Sequence, residues 1–85
     1  MKVQKIKTKE EVSDLTWSKI REILKERQIS QIKLRDMCMK KGYKISQPDI
    51  SKLFSGKLSL TLYHLVAFSA VLNVSIDSMI NDKNQ

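Results

Sequence analysis

One short pattern occurs five times in this chain of 85 residues, and it constrains the fold more than any other feature. An apolar residue precedes Ser or Thr, and the fifth residue beyond that first apolar one is apolar again. The instances are Leu15-Thr16 with Ile20, Ile29-Ser30 with Leu34, Ile45-Ser46 with Ile50, Leu60-Thr61 with Leu65, and Val74-Ser75 with Met79. Each has the chemistry of a helix start. The hydroxyl accepts from a free main-chain N–H of the first turn, and the flanking apolar pair packs together and sets the angle at which the chain arrives. Starts at such short intervals predict a bundle of short helices. They do not make a solenoid, because the units share nothing else and stable solenoid repeats are longer.

Between these starts the apolar spacing is helical. Residues 1–14 are mostly polar and lack it, and read as a flexible basic arm with at most a partial turn near Glu10–Val12. The folded domain is expected over residues 15–85. Helix 1 is predicted at roughly 17–27 with Trp17, Ile20, Ile23 and Leu24 inward, and helix 2 at roughly 31–41 with Leu34, Met37 and Cys38 on one face and Gly42 as its left-handed stop. Helix 3 is predicted at roughly 47–55. Pro48 is tolerated in its first turn, Ser46 and Asp49 resemble a capping box, and Ile50, Leu53 and Phe54 share one side. Helix 4 is predicted at roughly 62–72 with Leu62, Leu65, Val66, Ser69 and Leu72 inward, Phe68 beside them and Asn73 as terminator. Helix 5 is predicted at roughly 76–80, followed by a frayed end over 81–85.

Composition narrows the function classes. Hydrophobic residues make up 41% of the chain, enough for one small core. A single Cys permits neither an internal disulfide nor a multi-cysteine zinc site, and Cys38 reads as a small core residue. The longest apolar run, Leu65 to Leu72, is too short to span a bilayer, and the basic N-terminus has no apolar stretch of the secretory kind. With two Gly there is no glycine-rich phosphate loop, and no acid/base pair, nucleophile or metal set is visible. No enzyme, cofactor, metal, membrane or small-molecule ligand is therefore expected. The lone His64 is expected at the surface or facing a partner. Net charge is +7, and residues 15–58 carry eleven basic against four acidic side chains, so the whole excess lies on the first three helices. A lopsided basic patch suits a polyanionic partner.

The side of helix 3 opposite its apolar stripe carries Gln47, Pro48, Ser51, Lys52 and Ser55. Gln can form a bidentate pair with adenine, Lys donates to guanine, Ser permits close approach, and Pro48 can meet a thymine methyl. Taken alone, such a face is no different from an ordinary solvated one. Its setting gives it meaning. Ser30-Gln31 opens helix 2 as Ser46-Gln47 opens helix 3, and a helix N-terminus offers free N–H groups and a positive dipole end to phosphate. Gln31, Lys33, Tyr43, Lys44, Ser55, Lys57 and Ser59 lie near the ends of these two helices as candidate phosphate contacts. Tyr43 reads equally as a cover for the end of the core.

Residues 17–80 resemble the lambda repressor/Cro-type helix-turn-helix domain, also called the xenobiotic-response-element family of prokaryotic and phage regulators. The resemblance is carried by Ile20-x3-Leu24, Ile29-Ser30-Gln31-x2-Leu34, Ile45-Ser46-x3-Ile50-Ser51, Ser55-Gly56-Lys57 and Leu72-Asn73-Val74-Ser75-Ile76-Asp77, about three quarters of the chain. It implies an all-α, five-helix bundle, helix 3 as recognition helix, and a homodimer on a near-palindromic operator in double-stranded DNA. Carried over by position, Gln31 touches phosphate, Gln47, Pro48, Ser51 and Lys52 face bases, and Ser55 and Lys57 lie near the backbone. The expected function is a sequence-specific transcriptional regulator, a cytoplasmic, nucleoid-associated repressor. The alternative is a protein-interaction adaptor or antitoxin-like partner that reuses the bundle.

The sequence departs from the family pattern in two places. The family usually joins helices 2 and 3 by a tight turn soon after a core apolar residue. Here Cys38 takes that core place, and Met39–Lys44 adds roughly one helical turn and a longer connection. Phe54 stands where a polar or acidic residue is usual, and either widens the core contact or lies partly exposed beside the DNA.

Overall fold

The computed structural model describes residues 9–80, with side chains from Glu11 onward. It shows five helices in the order α1 (Lys9–Glu26), α2 (Gln31–Lys40), α3 (Gln47–Phe54), α4 (Leu62–Leu72) and α5 (Ile76–Ile80), with no strand among the described residues. Four of the five start motifs act as caps. The hydroxyls of Ser30, Ser46, Thr61 and Ser75 accept from the N–H groups of Lys33, Asp49, His64 and Ser78 at 3.1, 3.2, 3.3 and 3.1 Å. Each cap satisfies one donor that the helix itself leaves free.

The fifth motif is no helix start. Leu15 and Thr16 lie in the middle of α1, where Thr16 is buried beside Trp17 and Leu15 is exposed. The helix begins at Lys9, so the second part of the expected arm is helical, and residues 1–8 and 81–85 lie outside the described residues. A tertiary bond explains the longer helix. Ser13 Oγ accepts from the N–H of Leu60 at 3.1 Å, tying the second turn of α1 to the segment before α4. Such a tie between residues 47 apart is invisible to local spacing.

The expected inward face of α4 is also corrected. Leu62 and Val66 are exposed, while His64, Ala67, Phe68 and Leu72 are buried. The helix LYHLVAFSAVL is apolar nearly all round, so its spacing does not fix which side turns inward. Packing decides: Phe68 is wholly buried, its ring 6.0 Å from that of Trp17 and 6.1 Å from the stacked His64 ring.

Every helix feeds one core, with Ile20 and Leu24 from α1, Leu34 and Cys38 from α2, Ile50 and Leu53 from α3, Phe68 and Leu72 from α4, and Met79 from α5. Helix α2 packs on α3 and α4, and α5 packs on α1 and α4. Gly42 (φ 92°) ends α2 and Asn73 (φ 56°) ends α4 in the left-handed region, as the sequence predicts. Arg27, just past α1, donates to the carbonyl of Leu72 at the far end of α4.

Candidate nucleic-acid interface

Helix α3 is held from behind and bare in front. Ile50 and Leu53 are buried, and Ile45, which precedes the Ser46 cap, is buried with them. Pro48, Ser51, Lys52 and Ser55 are exposed on the other side. Phe54 widens the core contact: it is half-buried, its ring edge-on to Trp17 at 5.0 Å and 87°, with the Arg21 guanidinium 6.0 Å from its centre. That contact braces the C-terminal end of α3 against α1. Beyond it the chain doubles back, and the N–H groups of Lys57 and Leu58 both donate to the carbonyl of Lys52. Lys57 and Ser59 are exposed on and just after this turn at the end of α3.

Gln47 is the member of the strip whose side chain is not fully presented. It is half-buried, and its Oε1 is shut off from water with no donor near it. A shielded amide oxygen without a partner is a destabilised state.

The connection between α2 and α3 has the added length the sequence shows. Its first part is wrapped on α2: the N–H groups of Lys41 and Tyr43 donate to the Cys38 carbonyl, and that of Gly42 to the Met39 carbonyl. Lys44 N–H instead donates to the hydroxyl of Tyr63 on α4 at 2.8 Å, and the Tyr43 ring meets the Tyr63 ring edge-on at 5.9 Å. Lys41 and Lys44 are exposed on this connection, and Tyr43 is half-buried. Sequence reasoning did not single out Tyr63, because nothing local links residues 19 apart.

Gln31 occupies the first position of α2, half-buried, with Lys33 exposed two residues on. The N-termini of α2 and α3 thus belong to two packed helices, each capped by a Ser and each opened by a Gln. Two titratable groups lie behind this surface. Burial pushes the Cys38 thiol up to about 11, which leaves it protonated and unreactive at neutral pH. Burial also holds His64 below the ordinary imidazole value, with Asp49 of α3 pulling weakly the other way. His64 is not at the surface as expected: it is buried, and its Nδ1 accepts from the main-chain N–H of Thr61 at 3.0 Å. Among the described residues no three of His, Cys, Asp and Glu come together as a metal site, and no helix is long and apolar enough to cross a membrane.

Comparison with known families gives a match over the same helices. The family model of the Cro/C1-type HTH DNA-binding domain covers residues 19–83. The chain belongs to this family. It is a DNA-binding regulator of the Cro/C1-type, an all-α bundle whose partner is DNA. Comparisons with curated proteins and with solved structures give no match. The Cro/C1-type assignment covers α2 and α3, and the rest of α1 to α5 apart from the first turns of α1.

Proposed function

We propose that the protein is a repressor that reads a near-palindromic operator as a homodimer, with α3 in the major groove. The observation that carries this reading is the division of α3 into a buried side, Ile50 and Leu53, and an exposed side of small polar and basic residues. In this reading Gln47, Pro48, Ser51 and Lys52 face base edges. Gln31, Lys33, Tyr43, Lys44, Ser55, Lys57 and Ser59 hold the phosphates that fix the register. The excess of basic side chains over residues 15–58 supplies the sequence-independent part of the affinity by releasing counterions. Bound protein represses by occluding polymerase, and the same reading places it in the cytoplasm at the nucleoid.

A dimer of this kind sets two recognition helices about 34 Å apart, one turn of DNA. Ile80 is exposed and Ile76 half-buried on α5, which supports a seam there. The test is fluorescence anisotropy on a duplex selected by the protein from a randomised pool and on a random duplex, each at several salt concentrations. Both affinities should fall steeply with salt, by a log–log slope of about 0.9 per phosphate neutralised, while the selected duplex stays tighter throughout. Equal binding to both duplexes, or binding indifferent to salt, rejects the proposal and favours the adaptor.

A further inference from the structure

The connection between α2 and α3 is tied to a third helix through Tyr63. The chain from Lys41 to Tyr43 is bonded back onto α2, and from Ser46 onward it is bonded into α3. Lys44 lies between these two anchored stretches, and its main-chain N–H goes to neither helix. It donates to Tyr63 Oη at 2.8 Å, and Tyr63 sits in the first turn of α4, whose capping box is closed by Thr61 and His64. The Tyr63 ring, though exposed, lies edge-on against Tyr43. Two residues after Lys44 comes Ser46, the cap of α3, and then Gln47. A shift of the connection therefore moves the first turn of α3 directly.

We infer that Tyr63 is a positioning residue for base reading: its hydroxyl sets the rise and tilt of the N-terminal turn of α3 through the Lys44 main chain, although Tyr63 lies on a different helix from the strip that faces DNA. A tight turn between α2 and α3 needs no such support. The lengthened connection has an additional degree of freedom, and a hydroxyl on α4 removes it. This inference rests on α3 being the reading helix.

The decisive variant is Tyr63→Phe, which deletes the hydroxyl and leaves the ring against Tyr43. A partner that only stabilises the fold changes the fraction of active protein, and so scales the affinities for selected and random duplexes together. A positioning residue changes their ratio. Tyr63→Phe should lower affinity for the selected duplex about five-fold more than affinity for the random duplex, the equivalent of one ordinary hydrogen bond, and leave the salt slope as it is, because no charge is removed. Hydrogen exchange should show the Lys44 amide losing protection. An unchanged ratio overturns the inference. Gln47→Ala, measured alongside, separates the two failures. If it abolishes the preference while Tyr63→Phe leaves it whole, only the role of Tyr63 falls. If neither variant alters the preference, the first turn of α3 does not read bases, and the reading on which this inference rests falls with it.

Discussion

His64 Nδ1 accepts a hydrogen bond from the main-chain N–H of Thr61 at 3.0 Å, and Thr61 Oγ1 accepts from the N–H of His64 at 3.3 Å. The pair is a capping box in which imidazole does the work usually done by Glu or Gln. It functions only while Nδ1 carries no proton. A protonated ring loses the acceptor. Burial, the larger cause of the lowered His64 value, opposes the same protonation.

The folded protein should therefore lose stability as pH falls. Because the folded imidazole titrates below the ordinary 6.5, the unfolded chain binds the proton first. The contribution is complete above the ordinary value and is lost as pH drops from there through the lowered folded value. His64 is the one His in the chain, so thermal unfolding between about pH 7.5 and about pH 5 isolates it. His64→Gln keeps an acceptor at the right position of the capping box and should flatten that dependence. A Gln variant with the same slope as the parent would show that another group is responsible.

The edge-on contact of Phe54 with Trp17 should be measurable in both stability and fluorescence. Phe54→Ala removes a half-buried ring together with an aromatic pair, at a cost of about 2 kcal/mol. Unfolding should move down by about 10 °C. Trp17 is the only Trp and is nearly buried, so its emission should shift to the red in the folded variant as water reaches the ring. Unaltered emission would place the contact outside the energetics of the fold.

Cys38 should resist alkylation in the native protein. Its thiol is wholly buried and titrates near 11, so the thiolate fraction at neutral pH is negligible. Labelling with iodoacetamide should follow global unfolding, accelerating with urea in step with loss of helical signal. Rapid labelling in buffer alone would mean that α2 opens locally.

Much of this was legible in the sequence because it is local. A cap and its staple lie within six residues, so α2 to α5 start where the hydroxyls place them, and Gly42 and Asn73 stop α2 and α4 where a left-handed residue is needed. The exposure of Pro48, Ser51, Lys52 and Ser55 follows from the spacing of Ile50 and Leu53. The early start of α1 was not legible, because its tie is a bond from Ser13 to Leu60. Nor was the inward face of α4, since a helix with Leu62, Val66, Phe68 and Leu72 on different sides has no polar face to orient it. The burial of His64 is hidden for a related reason: a polar residue inside a core makes sense only once its cap partner is known. Tyr63 has no local signal at all, because its role exists only where two distant segments meet.

Two substitutions on the proposed reading surface should separate base reading from backbone contact. Gln47→Ala removes an amide whose oxygen is shielded and without a donor in the free protein, so stability should stay within about 0.5 kcal/mol of the parent. Once the side chain has turned to a base, the same deletion costs about 1–3 kcal/mol of operator affinity and relaxes the choice at that base. Lys57 stands exposed on the turn after α3, held by the bonds of Lys57 and Leu58 N–H to the Lys52 carbonyl. Lys57→Ala should weaken selected and random duplexes alike and reduce the salt slope by about 1, because a phosphate contact carries no sequence information. Anisotropy titrations of both variants on both duplexes distinguish these outcomes. Operator affinity unchanged in both would remove α3 from the interface, and a Gln47→Ala loss shared equally by random DNA would make that residue a backbone contact.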